Sequence, residues 1–168
     1  MYSLSKFFIL TTFAAMAITH APAQPGAMKY ESSACDVDFM LPAGMFDLRH
    51  GDGRDTLFER EGDARINVYC GTVPGELPFS EMPSALENLE AIRRVTYRRD
   101  GQSWFVLSGY YQPEVPAGEE LIFYTKLLNG PGTGTFTAFE IVYPRSRKAE
   151  FDGIVTDLEK SFRLTEAR

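Results

Sequence analysis

The sequence predicts an α+β domain in which an antiparallel sheet is layered against two main helices, in the order ββββ-α-ββββ-α. Three observations point to this fold class. Short segments separated by turn residues dominate the first half of the chain, and apolar segments of strand length dominate the second half. Each group is followed by a segment whose apolar residues have helical spacing. Amphipathic helices and an apolar sheet bury their surfaces most economically as layers around one core.

The first 23 residues have the layout of a secretory signal peptide. Lys6 precedes an uncharged apolar run over residues 7–19, which is shorter than the roughly 20 residues of a membrane-spanning helix. Small residues then form a cleavage site between Ala23 and Gln24. We therefore expect a mature protein that begins at Gln24 and is periplasmic or secreted.

The mature chain is predicted to be one acidic domain. Residues 24–34 are small and polar and predict a flexible N-terminal lead, and residues 35–168 predict a single α+β domain. Without Lys6 the chain has 16 Lys and Arg against 23 Asp and Glu, a net charge of −7. That balance argues against nucleic acid as a partner. No second long apolar stretch follows the signal, so no membrane span is expected in the mature chain.

Four strands are predicted in the first half, over residues 37–41, 46–49, 56–60 and 64–70. The second and third flank the turn-rich residues 50–53, which suit a hairpin connection. The fourth alternates apolar with polar residues, a pattern typical of a strand with one buried face.

The first helix is predicted over residues 80–94. Leu86, Leu89 and Ile92 recur at every third residue, and residues 84–87 match a capping box.

An antiparallel meander is predicted next, with strands over residues 95–99, 103–112, 119–128 and 135–143. The central ones are apolar on both sides, which indicates that both faces of the sheet are covered. Residues 145–163 predict the final helix from their apolar stripe. The residues expected to be buried are Ile66, Val68, Leu86, Leu89, Phe105, Leu107, Phe123, Ile154, Val155, Leu158 and Phe162.

This order resembles the Mog1/PsbP-like fold, an antiparallel sheet between helical layers. The segments WFVLSGYY, LIFYTKLL, FTAFEIVYP and AEFDGIVTDLEKSFR lie within residues 95–165. They are similar to segments of small exported proteins of unassigned function from Gram-negative bacteria, in which a strand with a W-x-V-x-S-G pattern precedes I-F-Y-x-K, Y-P and a final helix with F-D. The motifs are structural, so the resemblance implies the fold and no reaction.

Cys35 and Cys70 are the only two cysteines of the chain. In an oxidising compartment such a pair predicts a disulfide, and the alternative is two buried free thiols. The bridge would close 36 residues counting both ends, which restrains the unfolded chain by roughly 3–4 kcal/mol.

The loop over residues 47–55 is the one place where acids and a histidine cluster. A small hydrolase or a metal-dependent enzyme would use Asp47, His50, Asp52 and Asp55. However, no EF-hand pattern and no nucleophile motif are present, and two arginines within the loop would repel a cation. We therefore interpret the loop as a hairpin turn, and we expect neither a cofactor nor a metal.

Aromatic residues crowd the strands of the predicted meander, and Trp104, Tyr110, Tyr111 and Tyr124 are the candidate binding residues. Most aromatic residues pack in cores, but tyrosines with polar tips also rim grooves for a protein or a small apolar ligand. The sequence therefore favours an exported, non-catalytic binding or accessory domain of the cell envelope. A binding module should show an aromatic groove, whereas an enzyme should show His50 bonded to a carboxylate at the mouth of a pocket.

Overall fold

The structure, a computed structural model, describes residues 26–32, 34–51, 53–73, 75, 77–113 and 118–165. The predicted signal peptide lies outside the described residues. No helix in these ranges has the length and apolar character that crossing a membrane requires.

The described residues form ten strands and two α-helices. The strands are β1 (Ala27–Ser32), β2 (Val37–Pro42), β3 (Phe46–Gly51), β4 (Arg54–Glu59), β5 (Arg65–Thr72), β6 (Ile92–Asp100), β7 (Trp104–Tyr111), β8 (Leu121–Asn129), β9 (Thr135–Pro144) and β10 (Arg163–Leu164). The helices are α1 (Met82–Glu87) and α2 (Lys148–Ser161), and each follows one turn of 3₁₀ helix.

The strands form two antiparallel sheets. The larger sheet has the order β3-β4-β5-β9-β8-β7-β6, and the smaller one has the order β1-β2-β10. In the larger sheet, β3, β4 and β5 form one meander and β6 to β9 form another, and the two join where β5 pairs with β9. The predicted α+β class with two main helices is confirmed.

The smaller sheet and α2 cover one face of the larger sheet. Phe39 of β2, Phe139 of β9, and Phe151 and Leu158 of α2 are fully buried between these layers. Phe162 closes the cluster, its ring centroid 4.9 Å from that of Phe139. The apolar stripe predicted for the final helix therefore docks on the sheet, as expected.

The opposite face is covered near β6, β7 and β8 by α1 and the turn before it. Phe105, Leu107 and Phe123 are buried there against Met82. The prediction that the central strands are covered on both faces is confirmed for this part of the sheet.

The first helix is much shorter than the predicted 80–94. It ends at Glu87, where the side chain of Asn88 donates to the carbonyl oxygen of Ser84. Ile92 already belongs to β6 and pairs with β7, because ladder hydrogen bonds and burial outweigh a weak helical periodicity. Leu89, predicted to be buried, is 50% exposed, and Ser84 lies inside the helix and not at its N-cap.

The lead predicted over residues 24–34 is instead partly a strand. Ala27–Ser32 pairs along its whole length with β2. Its two inward side chains, Tyr30 and Ser32, are buried but polar, so the strand lacks the apolar alternation by which strands are predicted.

The predicted disulfide joins Cys35 to Cys70, with the two Cα atoms 5.5 Å apart. It connects the turn between β1 and β2 to the end of β5 and so ties the smaller sheet to the larger one.

Candidate functional site

A groove of about 360 Å³ lies between the larger sheet and one flank of α2. We call it the tyrosine groove, after the four tyrosines that line it. Its strands are β6 to β9, and Ser108 and Gly109 of β7 contribute little side-chain volume there. The side chains that define it are Tyr97, Tyr110, Tyr124, Tyr143, Asp152 and Glu159.

The tyrosines form a gradient from core to surface. Tyr143 is buried and stacks on Phe151 of α2, with ring centroids 4.8 Å apart. Tyr124 is half-buried and stacks on Phe139, whereas Tyr97 is 47% exposed on β6. The walls near the core are therefore rigid, and the edge at β6 is open.

The hydroxyl groups of the inner tyrosines are neutral donors. Burial, with a smaller contribution from Asp152, raises the pKa of Tyr143 to about 12. Burial also raises the pKa of Tyr124, and the carboxylate of Glu159 adds to that rise. Both rings therefore keep a polar O–H inside a mostly apolar groove, which is the composition typical of ligand sites.

Three arginines lie over aromatic rings near the open edge. The guanidinium carbons of Arg94 and Arg145 lie 4.9 and 5.5 Å from the ring centre of Tyr110. That of Arg99 lies 5.6 Å from the ring centre of Trp104. Arg145 is ion-paired with a glutamate, but no described carboxylate lies within ion-pair distance of Arg94 or Arg99. This edge therefore carries uncompensated positive charge.

The four aromatic residues proposed from the sequence do not form one site. Tyr110 and Tyr124 line the tyrosine groove, and Trp104 lies on the same sheet face under Arg99. Tyr111 lies on the opposite face, where its hydroxyl donates to Glu140. Because side chains alternate along a strand, adjacent Tyr110 and Tyr111 cannot share a face.

Sequence reasoning missed two tyrosines and the whole helical wall. Tyr143 belongs to a strand predicted correctly, and its place on the same face as Tyr110 follows only from the sheet order, in which Ile122 of β8 pairs with both residues. Tyr97 pairs with Ser108 in the regular part of the β6 register, so it shares the groove face with Ser108 and Tyr110 by simple alternation. Apart from Val155, the side chains that α2 contributes lie outside its apolar stripe and gave no signal as ligand contacts.

A second cluster centres on Asp55, which is 1% exposed. Its Oδ2 accepts hydrogen bonds of 2.6 Å from both Tyr30 and Ser32. Its Oδ1 lies 2.8 Å from Nδ1 of His50, whose side chain is 73% exposed. Burial raises the pKa of Asp55, but the bonds from Ser32, Tyr30 and His50 outweigh burial, so its pKa is below the usual value.

The other acids of the 47–55 loop do not join this cluster. Asp47 is exposed and pairs with Arg60, N to O 2.8 Å, and Asp52 lies outside the described residues. Among the described residues, no three His, Cys, Asp or Glu side chains are grouped to hold a metal ion. His50 has the carboxylate partner expected of an enzyme, but it does not line the tyrosine groove.

No protein-family model matches the sequence, and no curated protein matches it. Solved structures do match. The Ran-binding protein Mog1 of Saccharomyces cerevisiae is similar with a TM-score of 0.60 and 10% identity, over 83% of this chain and 96% of Mog1. Cyanobacterial PsbP from Synechocystis is similar with a TM-score of 0.58 and 11% identity, over 92% of this chain and 98% of PsbP. These likenesses show that the chain has the Mog1/PsbP-like fold.

Proposed function

We propose that the protein is an exported, non-catalytic binding or accessory domain of the cell envelope, and that the tyrosine groove receives its partner. The observation that carries this proposal is the groove itself, with rigid tyrosines inside and uncompensated arginines at its edge. Tyrosine offers a large contact area at low conformational cost, together with a polar tip for hydrogen bonding.

Export is supported by two independent features. The first 23 residues have the pattern of a signal peptide, and Cys35 and Cys70 form a disulfide, which persists in oxidising compartments. The intact mass of the protein from the cell envelope should correspond to a chain that begins at Gln24. A protein that keeps Met1 would show that export with cleavage is wrong.

A protein partner is one of the two occupants that the proposal allows. Mog1, which has a similar fold, is described as a Ran-binding protein. A small apolar ligand is the other. The size of the groove and its open edge suit a side chain of a partner protein or a small molecule equally.

Site-specific cross-linking tests the groove as a binding site. Tyr97→p-benzoylphenylalanine places a photoreactive ring at the open edge, and Phe58→p-benzoylphenylalanine is the matched control on β4. We expect a cross-linked product in cells at position 97 and not at position 58. Thr156→Trp, which fills the groove, should abolish the product, whereas Asp157→Trp, outside the groove on the same helix, should not.

A small-molecule occupant is detected by native mass spectrometry of protein purified from the cells that make it. Such an occupant should appear as a mass increment in the wild type and in Asp157→Trp, and it should be lost in Thr156→Trp. If neither a cross-link nor a mass increment depends on the groove, the proposed function is wrong.

One observation favours a second candidate, an enzyme that uses His50 as a base. Asp55 holds Nδ1 of His50, as a carboxylate does in acid–base sites, and so fixes the ring tautomer with Nε2 as the acceptor. The wild type and His50→Ala are compared on ester, phosphate and glycoside substrates. A turnover that His50→Ala abolishes without unfolding the protein would establish this candidate in place of the first.

A further inference from the structure

We propose that the partner is an extended acidic peptide segment, which adds as a strand to the free edge of β6 and inserts one side chain into the tyrosine groove. This inference rests on the proposed function and names the class of partner. It follows from three features of β6: its backbone, its arginines and its position beside the groove.

The backbone of β6 is open to pairing. β6 is the last strand of the larger sheet, and no described strand lies beyond it. The N–H of Gly101 donates to the carbonyl oxygen of Trp104 at 2.8 Å, which sets the phase of the antiparallel ladder. Because hydrogen-bonded pairs alternate in such a ladder, Arg99 directs its N–H and C=O toward β7, whereas Arg98 and Asp100 direct theirs outward.

The charges at this edge select an acidic strand. Arg94 and Arg99 lie on the groove side of β6, each over an aromatic ring and without a described carboxylate partner. A guanidinium held over an aromatic ring by a cation–π contact can still donate its N–H groups to carboxylates. Arg98, on the other side of the strand, is already paired with Asp100 and Glu87, so it does not compete for the same ligand.

The acidic residues of the groove do not reverse this selectivity. Asp152 is paired with Lys148 at 2.7 Å. Glu159 is attracted electrostatically to the ammonium group of Lys126, in addition to its interaction with the hydroxyl of Tyr124. Among the described residues, the uncompensated charge that faces an incoming strand is therefore that of the two arginines.

The position of β6 defines which side chains the peptide needs. Alternate side chains of an added strand lie on one face of the sheet, so the residue opposite Tyr97 enters the tyrosine groove. Its neighbours two positions away lie near the two arginines. The peptide therefore needs an aromatic or apolar residue with an acidic residue two positions before it and another two positions after it. The residues between them face the other side of the sheet.

The other free edge of the sheet provides a matched control. On β3, Arg49 also lies over an aromatic ring, 4.6 Å from the centre of Phe58. However, neither residue lines the tyrosine groove. Both edges of the larger sheet therefore have an arginine over an aromatic ring, but only the β6 edge lies beside the tyrosine groove.

Fluorescence anisotropy with a defined probe tests the inference. The probe is a labelled peptide of about seven residues, which is a typical strand length. Threonine occupies every other position, beginning with the first, and the positions between hold aspartate, phenylalanine and aspartate in that order. We expect the Arg94→Ala/Arg99→Ala double variant and Thr156→Trp each to weaken binding about tenfold or more. Arg49→Ala, at the other edge, should leave the affinity unchanged.

Changes in the peptide test the same points on the intact wild-type protein, so a variant that misfolds cannot obscure the result. Replacing both aspartates by asparagine should weaken binding, and replacing phenylalanine by serine should do the same. Only every second backbone N–H of the peptide donates to β6. N-methylation of that set of residues should abolish binding, whereas N-methylation of the residues between them should not.

The inference is wrong if the probe does not bind, if the asparagine peptide binds equally well, or if both N-methylated peptides retain binding. Equal losses in Arg49→Ala and in the double variant would also contradict it. These outcomes leave the proposed function to its own test, since a groove-dependent cross-link or mass increment does not require this peptide.

Discussion

The hydroxyl of Tyr30 in β1 donates a 2.6 Å hydrogen bond to Oδ2 of Asp55 in β4, and this bond joins the two sheets. Ser32 donates to the same oxygen at 2.6 Å. Both strands meet around a carboxylate that is almost fully removed from water. The N-terminal strand is thus attached to the larger sheet through polar bonds in addition to apolar packing, and these bonds are strong because the acceptor is charged.

We expect Asp55→Asn to destabilise the fold at neutral pH by about 1–3 kcal/mol, because an amide cannot accept all three hydrogen bonds. Its effect should depend on pH. The folded pKa of Asp55 lies below the usual 3.8, so its contribution is present above that pH and is lost as the pH falls through the folded pKa. Urea unfolding from about pH 5 down to about pH 3 should therefore show a smaller loss of stability in Asp55→Asn than in the wild type.

The matched control for this prediction is Asp47→Asn. Asp47 belongs to the same hairpin, but its pair with Arg60 is exposed and contributes little. A loss of stability in Asp47→Asn equal to that in Asp55→Asn would contradict the role given to the buried carboxylate.

Removing the disulfide should destabilise the protein by about 2–5 kcal/mol, since Cys35–Cys70 restrains a long loop and connects the two sheets. The measurement is denaturant unfolding of the wild type with and without reductant. Cys35→Ala/Cys70→Ala should match the reduced wild type and should not respond to reductant. Titratable thiols in the native, unreduced protein would show that the bridge is not formed.

The sequence predicted best those elements whose own residues carry a strong pattern. The apolar stripe of α2 and the apolar strands β7 to β9 were identified because burial on one or both faces is visible in the residue order. The strand β1 was missed because Tyr30 and Ser32 are polar and find their partner, Asp55, only in the folded chain.

The tyrosine groove was predictable only in part, for a related physical reason. Tyr110 and Tyr124 lie on adjacent paired strands, so their clustering follows from the meander. Arg94 lies over Tyr110 on the same face because of a register shift in β6 that alternation along the strand does not predict. The Asp152 and Glu159 wall depends on where α2 crosses the sheet, which is a property of tertiary packing.

Leu158→Ala should destabilise the fold by about 2–5 kcal/mol, because Leu158 is fully buried where α2 packs on the sheet. Leu89→Ala is the matched control and should be close to neutral, since Leu89 lies beyond the end of α1 and is half exposed. Thermal and urea unfolding of both variants provide the measurement. A large loss for Leu89→Ala would favour a longer, docked first helix, and a neutral Leu158→Ala would mean that α2 is not docked.

Gly109→Ala should displace β6, because a Cβ on this residue of β7 would clash with the backbone of β6. A Cβ at position 109 would meet the backbone oxygen of Arg94 well inside van der Waals contact, and it would lie 2.8 Å from the Cα of Val95. Both are backbone atoms at the irregular part of the β6 register, so no side chain can move aside to relieve the clash. We expect the free energy of unfolding to fall by about 1–3 kcal/mol.

The control for Gly109→Ala is Gly26→Ala, which has open space around its Cβ and should leave stability almost unchanged. Backbone amide chemical shifts distinguish a local from a global effect: the shifts of β6 and of the tyrosine groove should move in Gly109→Ala, whereas those of β3 and β4 should stay in place. Because the clash involves the backbone of Arg94 and lies two residues before Tyr97, the acidic probe peptide should bind Gly109→Ala more weakly than Gly26→Ala. Wild-type stability together with unchanged β6 shifts in Gly109→Ala would mean that β6 does not approach β7 as closely as the structure shows.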